Sequence, residues 1–293
     1  MSSALKVTIL GCGRVGTSLA SMIVQSEGLE LSALYGRKKT AVKAAGLKTG
    51  AEKVCSDFKD LPSSDIYLVA IDDDALESFS KNILDAGLAK GKVIAHLSGS
   101  ESSQVFSKLQ ADGTFVASCH PLKSFTEKLI SLEEFDGTSC VLEGDSEACE
   151  ALEKLFSKLG AKTFRINSEN KLKYHSAAVF ASNYLVTLLD IAGELLNGIG
   201  LDKSFRGLEQ LSQKVLQNVF SQGTEKALTG PIERGELEVV RKELDCLSDH
   251  RDIALLYAQL AKRTSEIAVR KGSISAEKKS ELECILKTIH SKD

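Results

Sequence analysis

An open, mainly parallel α/β sheet followed by an all-helical domain is the fold class this sequence predicts. Three observations carry that expectation. A short β-branched run, Lys6 to Leu10, ends in Gly11-Cys12-Gly13-Arg14-Val15-Gly16, and Leu19, Ala20, Met22 and Ile23 then recur at helical spacing. Strand-like and helix-like segments keep alternating to about residue 166, as right-handed crossovers between parallel strands require. Beyond Asn167 no convincing strand pattern appears and long helical patterns take over. The expected domains are therefore 1–166 and 167–293, abutting without a low-complexity tether.

In chain order, Leu29 to Tyr35 reads as a second strand and Lys38 to Leu47 as a helix. Val54 marks a short third strand, and Ile66 to Ala70 is a continuous apolar run suited to burial on both faces. Asp73 or Asp74 is expected to cap a helix over Ala75 to Asp85. Val93 to His96 and Phe115 to Ser118 follow as strands, with a helix over Ser103 to Gln110 between them. Weaker strands at Ser139 to Leu142 and Lys162 to Ile166 flank a helix over Glu147 to Leu159. The second domain reads as helices over Glu169 to Asn197, Lys203 to Phe220, Leu237 to Leu247, Asp252 to Lys271 and Ala276 to His290. The first of these is apolar nearly all round, which predicts a buried central helix.

With 293 residues, 43% hydrophobic and 26% charged, the chain has the composition of a soluble globular protein of about two domains. A net charge of −3 gives no electrostatic footprint for nucleic acid or an anionic membrane. The apolar stretch Ala177 to Ala192 is broken by Ser182, Asn183, Thr187 and Asp190 and reads as too polar to span a bilayer. No secretory signal is expected, and seven cysteines without a C-x-x-C pair suggest reduced thiols in the cytoplasm and no metal site.

The glycine stretch has a specific chemistry. Gly11 permits the tight turn, Gly13 lets a pyrophosphate approach the backbone, and Gly16 lets the helix pack close to the strand. The helix N-terminus offers free N–H groups to the phosphates. Cofactor contacts are thus expected from Gly11, Cys12, Gly13, Arg14, Val15 and Gly16, and from Ile71 beyond the fourth strand. About 20 residues beyond the glycines, where a carboxylate would bind the ribose of NAD, the chain reads Tyr35-Gly36-Arg37-Lys38-Lys39. Arg37 and Lys38 in that place point to the 2′-phosphate of NADP, the alternative being solvated charges at a helix start.

Ligands in such sheets bind outside the carboxyl ends of the strands. Two strand ends there carry chemistry: His96-Leu97-Ser98-Gly99-Ser100 and Cys119-His120-Pro121-Leu122-Lys123. Histidine exchanges a proton near neutral pH. Either His120 handles a proton, or its ring merely caps backbone groups beside Pro121. His96 faces the same alternative as a satisfied core histidine. Cys119 lacks the base and orienting acid that a thiol nucleophile needs.

These segments, with Tyr174-His175-Ser176-Ala177-Ala178, Ala181-Ser182-Asn183-Tyr184 and Leu228-Thr229-Gly230-Pro231-Ile232-Glu233-Arg234-Gly235, resemble one family over nearly the whole chain. It belongs with the NADP-dependent 6-phosphogluconate dehydrogenase-like and pyrroline-5-carboxylate reductase-like superfamily, and pairs a Rossmann-like domain with a C-terminal domain of unknown function (DUF2520). The resemblance implies NADP as cofactor, hydride transfer to or from a small carbonyl, hydroxyl or imine compound, and a homodimer formed through the helical domain. Prephenate dehydrogenases in that superfamily carry a functional Ser and a catalytic His-Pro after the matching strands. By analogy Ser98 or Ser100 would orient substrate and His120 would move the proton.

On the expected long helix, His175, Val179, Ser182 and Asn183 share a face, and His175 and Asn183 are candidate catalytic residues. Val179 stands where sister families have a catalytic Lys, so that lysine mechanism does not transfer, and Lys173 reads as a solvated charge. His96, Ser100 and Arg234 are the candidate substrate contacts, Arg234 through a carboxylate or phosphate, although Thr229-Gly230-Pro231 also reads as a simple helical start. Two rivals stand beside the histidine-dependent enzyme: a non-catalytic NADP-binding sensor, and an imine reductase that protonates through water.

Overall fold

The computed structural model describes residues 4–126, 129–201 and 206–287. Contacts divide the chain into two compact units, 1–182 and 183–293.

The first unit is built on an eight-stranded sheet in the order β3-β2-β1-β4-β5-β6-β7-β8. The strands are β1 (Leu5–Leu10), β2 (Leu29–Tyr35), β3 (Val54–Cys55), β4 (Ile66–Val69), β5 (Val93–His96), β6 (Phe115–Pro121), β7 (Ser139–Gly144) and β8 (Lys162–Arg165). The chain leaves β1 in one direction for β2 and β3, and in the other for β4 onward. The sheet therefore has its topological switch point between β1 and β4, where such folds open a crevice. Residues alternate between two cores as the pleat demands: Ile66 and Leu68 face one core, Tyr67 and Val69 the other. The first core is closed by α1 (Arg14–Gln25), α2 (Lys39–Thr49) and α6 (Ser146–Lys158). The second is closed by α3 (Leu76–Asp85) and α4 (Ser107–Ala111). Burial on both faces is why β4 and β5 read as continuous apolar runs.

Three local expectations are revised. All neighbouring strands pair parallel except β6 and β7, which run antiparallel with Ser118 opposite Glu143 and His120 opposite Val141. Among the described residues their connection carries only the short α5 (Leu132–Phe135), and an antiparallel pair needs no crossover helix. Neither Asp73 nor Asp74 caps α3, because a 3₁₀ turn over Asp73–Ala75 precedes it and the Asp73 carboxylate bonds elsewhere. The segment Ser103 to Gln110 is likewise split into a 3₁₀ turn, Ser103–Phe106, and α4.

The expected helix over Glu169 to Asn197 is two helices, α7 (Lys171–Ala181) and α8 (Asn183–Gly198), separated at Ser182 (φ −128°, ψ −76°). Its expected burial is also overturned: Leu172, Phe180, Val186 and Tyr184 are exposed. By length and composition the 168–198 stretch is apolar enough to cross a membrane, against the expectation that its polar residues bar it. Apolarity all round records what a helix can pack against, which need not be its own chain.

The second unit is helical: α8, α9 (Gly207–Gln222), α10 (Thr224–Ala227), α11 (Leu237–Cys246), α12 (Arg251–Lys271) and α13 (Ala276–Lys287). Val240 and Leu244 of α11, Ala258 and Ala261 of α12, and Leu282 and Ile285 of α13 form one core. The expected start of α9 at Lys203 and the expected end of α13 at His290 lie outside the described residues.

Candidate active site

The turn after β1 is fixed by its glycines. Gly11 takes φ +126°, and a Cβ there would lie 2.1 Å from the Ala70 carbonyl oxygen. A Cβ on Gly16 would lie 2.0 Å from the Gly11 oxygen, so α1 can meet the turn only without a side chain. Gly13, by contrast, has open space where its Cβ would be, which leaves the backbone approachable to a ligand. Arg14 opens α1 behind it, and no side chain caps this helix or places an acid in its first turn. Its first N–H groups and positive dipole end are thus left for an anion. Thr17 donates its hydroxyl to the Cys12 carbonyl, and Val15 and Cys12 pack on the core behind. Ile71 borders the turn, its Cγ2 3.1 Å from the Gly11 Cβ position.

The end of β2 adjoins this turn. Gly11 donates its N–H to the Tyr35 carbonyl at 3.0 Å, and a Cβ on Gly36 would strike the Cys12 sulfur. Arg37 and Lys38 follow at once, both exposed, and α2 begins with no acid in its first turn. Cations at a helix start oppose the dipole unless an anion joins them.

At the ends of β5 and β6 the structure separates the two strand-end histidines. His96 is fully buried, its Nδ1 accepts from the Ser98 N–H at 3.3 Å, and its Nε2 therefore donates to the Ser102 carbonyl at 3.2 Å. Both nitrogens are spent on the loop, and burial pulls its pKa down to about 4. Ser98 donates to Asp73 Oδ2 at 2.6 Å and accepts from the Ser100 and Glu101 N–H groups. Ser100 donates to the same Asp73 oxygen at 2.8 Å. One carboxylate thus holds both serines and shapes the loop around Gly99.

His120 is placed differently. Its Nδ1 lies 2.7 Å from the Tyr174 hydroxyl, and its ring meets the Tyr174 and His175 rings edge-on, with centroids 5.7 and 6.0 Å away. A Cβ on Gly99 would lie 2.9 Å from His120 Nε2 and 2.6 Å from His175 Nδ1, so both imidazoles close on the bare Cα of Gly99. His175 Nδ1 is one of two buried side-chain polar atoms without a hydrogen-bond partner among the described residues. Burial first, then the Lys171 cation and His175, pull the His120 pKa down to about 4, so the ring is neutral at pH 7. Burial also raises the Tyr174 pKa and keeps the phenol protonated. Between two neutral groups the more acidic phenol donates, which assigns the imidazole proton to Nε2.

Behind them lies a buried polar group that the sequence reading missed. Lys171 Nζ donates to Ser118 Oγ at 2.7 Å, and Ser118 donates to Glu143 Oε2 at 3.0 Å. Glu143 further accepts from the Ser103 N–H and hydroxyl and from the Ser168 hydroxyl. These bonds hold its pKa below the usual carboxylate value against the burial that pushes it up. The available signals were a charge inside the apolar run of β7, and Lys171, Tyr174 and His175 at i, i+3 and i+4. Of the other expected residues, Asn183 opens α8 and Arg234 lies in the turn before α11, both in the second unit. The Arg234 guanidinium is engaged by Glu236 through two bonds of 2.8 and 2.9 Å.

Comparison with known proteins agrees with the architecture. A Rossmann-like domain model matches residues 1–121, and the domain of unknown function DUF2520 matches residues 138–264. The chain thus carries a Rossmann-like domain followed by DUF2520. Among solved structures, protein TM1727 from Thermotoga maritima is 27% identical with a TM-score of 0.71, over 90% of this chain and 99% of its own. BF3122 from Bacteroides fragilis, provisionally named an NADP oxidoreductase, is 22% identical with a TM-score of 0.71, over 90% and 98%. An imine reductase from Myxococcus stipitatus in complex with NADP+ is 15% identical with a TM-score of 0.59, over 98% and 95%. No curated protein matches the chain. The DUF2520 match begins before β7, so its model takes in the strand that carries Glu143 and the helix that carries Lys171 to His175.

Proposed function

We propose that this protein is an NADP-dependent oxidoreductase that moves hydride between the nicotinamide and a small carbonyl, hydroxyl or imine compound. One observation carries the reading: His120, held by Tyr174, and His175 converge on Gly99 at the carboxyl ends of β5 and β6, in the sheet whose β1 ends in the glycine turn. The names of similar structures, one of them NADP-bound, support it. A non-catalytic sensor would need the glycine turn but would have no use for the histidine cluster.

Gly11 to Gly16 fit the pyrophosphate, since the turn is tight where backbone must pack and open at Gly13. Arg37, as a planar fork, and Lys38 would hold the 2′-phosphate. When bound, the nicotinamide supplies or takes the hydride. His120 supplies the other half: its neutral Nε2–H donates to the substrate oxygen or nitrogen as negative charge develops there. As that proton leaves, Tyr174 passes its own to Nδ1 and regains one from water before the next turnover, and in the reverse direction both protons return. His175 Nδ1 offers a second polar contact at the same point, and Ser98 and Ser100 keep the loop in place through Asp73.

The exposed apolar residues of α8 and α9, among them Val186, Leu211 and Phe220, support a homodimer formed through the helical domain. The described cysteines are all free, in keeping with a reducing cytoplasm. The test is NADPH oxidation over a panel of oxo acids, imines and prephenate-like compounds. A substrate found this way should lose on the order of 10²-fold or more in kcat with His120→Gln. Turnover unchanged in that variant would favour protonation through water.

A further inference from the structure

Lys171 takes no part in the reaction just described, yet it is a buried ammonium whose hydrogen-bond partner is a serine hydroxyl. A charge removed from water is costly, and pairing through a neutral hydroxyl repays little of that cost. Its placement has a geometric order. Ser118 and His120 are two residues apart on β6 and so point to one face of the sheet. Lys171 and Tyr174 are three apart on α7 and so share a helix face. The two elements meet as a ladder of two rungs, Lys171 to Ser118 and Tyr174 to His120, each 2.7 Å long. From the strand repeat, the rungs are about 7 Å apart, which sets the ammonium within a charge's reach of the imidazole. Glu143 lies opposite Ser118 on β7, whereas His120 faces Val141, so the carboxylate stands one hydroxyl beyond the ammonium and two register positions from His120.

We propose that Lys171 is a positioning residue whose buried ammonium, fixed by Ser118 and Glu143, adds to burial in disfavouring a second positive charge at His120 and so extends to lower pH the range over which that imidazole is a neutral donor. This rests on the reading of His120 as the proton-handling group. The charged and titratable groups that face His120 are Lys171, Tyr174 and His175 from α7 and Asp73 from the turn after β4, while Cys119 points into the core on the other side of the sheet. Of these, Lys171 and His175 disfavour protonation of the ring and Asp73 favours it, whereas at His96 both Lys171 and Glu143 act, in opposite directions. His120 thus feels the ammonium end of the relay without the carboxylate end, whereas His96 feels both.

The test is an NMR titration of the histidine rings in the full chain. In Lys171→Met the His120 midpoint should climb from about 4 toward the ordinary 6.5 by about one pH unit or more. Lys171→Arg should keep it low. Lys171→Met leaves Glu143 buried without its cation and risks unfolding, so the paired variant Glu143→Gln/Lys171→Met is the deciding one. It should show the same rise, while Glu143→Gln alone should not. An unchanged His120 midpoint in the folded paired variant overturns the proposal. Should neither variant fold, the wild type decides: the Lys171 amine must titrate as charged at pH 7, and a neutral amine there overturns it. With a substrate in hand, the acid limb of kcat should move up in the paired variant with the alkaline plateau retained, whereas simple damage would lower kcat at every pH. A moved His120 midpoint in a protein with no NADPH binding or turnover would instead fail the oxidoreductase reading and leave the role of Lys171 standing.

Discussion

His96 and His120 end neighbouring strands, and burial pulls both pKa values down to about 4. Each binds its proton less readily folded than unfolded, so stability rises with pH between about 4 and the ordinary 6.5 and is lost as pH falls through that window. The contribution is at most about 3 kcal/mol per histidine. Urea midpoints should therefore drop between pH 6.5 and 4.5, and His96→Gln should flatten the slope. A midpoint that is level across the window in the wild type would contradict the buried, neutral assignment. Gly99 gives a sharper test of the cluster. In Gly99→Ala the methyl group would sit 2.6 Å from His175 Nδ1 and 2.9 Å from His120 Nε2, so both rings must move. We expect kcat to fall by about tenfold or more with folding intact, because misplacement of a catalytic group is costly even below 1 Å. The strand-end histidines and serines were legible because strands that run into polar loops announce their ends. Tyr174 and Lys171 were not, because the expected helix drew attention toward Asn183 and away from its own first turn. Spacing alone also could not say that Ser98 serves Asp73, since that bond joins loops 25 residues apart.

Among the elements, the glycine turn was the most legible, since each glycine answers a steric demand that the backbone makes. Gly16→Ala should cost about 1–3 kcal/mol and weaken nucleotide binding, because its Cβ position is 2.0 Å from the backbone oxygen of Gly11, which has no rotamer to give. A variant as stable as the wild type would show that the turn is looser than this packing implies. The end of β2 makes a separate prediction. Arg37→Ala should weaken NADPH by roughly 10- to 100-fold, the loss of a charge-assisted fork, and leave NADH nearly unchanged in a fluorescence titration. Equal losses for both nucleotides would refute the NADP assignment. Periodicity did not reveal that β7 reverses direction, because the side-chain pattern of a strand is the same in either sense. Nor did it reveal the exposure of α7 and α8, because an apolar helix looks alike whether it is destined for its own core, a second copy or a bilayer.

At the scale of the whole molecule, strands give way to helices near residue 167, whereas the second compact unit begins at residue 183, after α7. The exposed apolar residues of α8 and α9 predict a dimer by size-exclusion chromatography with light scattering, and Val186→Asp/Phe220→Asp should shift it to monomer. A monomeric wild type would remove the dimer from the account. Substrate identity was never legible, because it depends on contacts at the cluster that the alternation of strands and helices does not encode. The central claim is that the glycine turn and the His120 cluster serve one reaction. The most direct test is a crystal structure with NADP bound. The 2′-phosphate should lie on Arg37 and the nicotinamide C4 within about 8 Å of His120 Nε2, close enough for a substrate to bridge them by hydrogen-bond contact. A nicotinamide lying farther away, with no closing motion to bring it in, would contradict it.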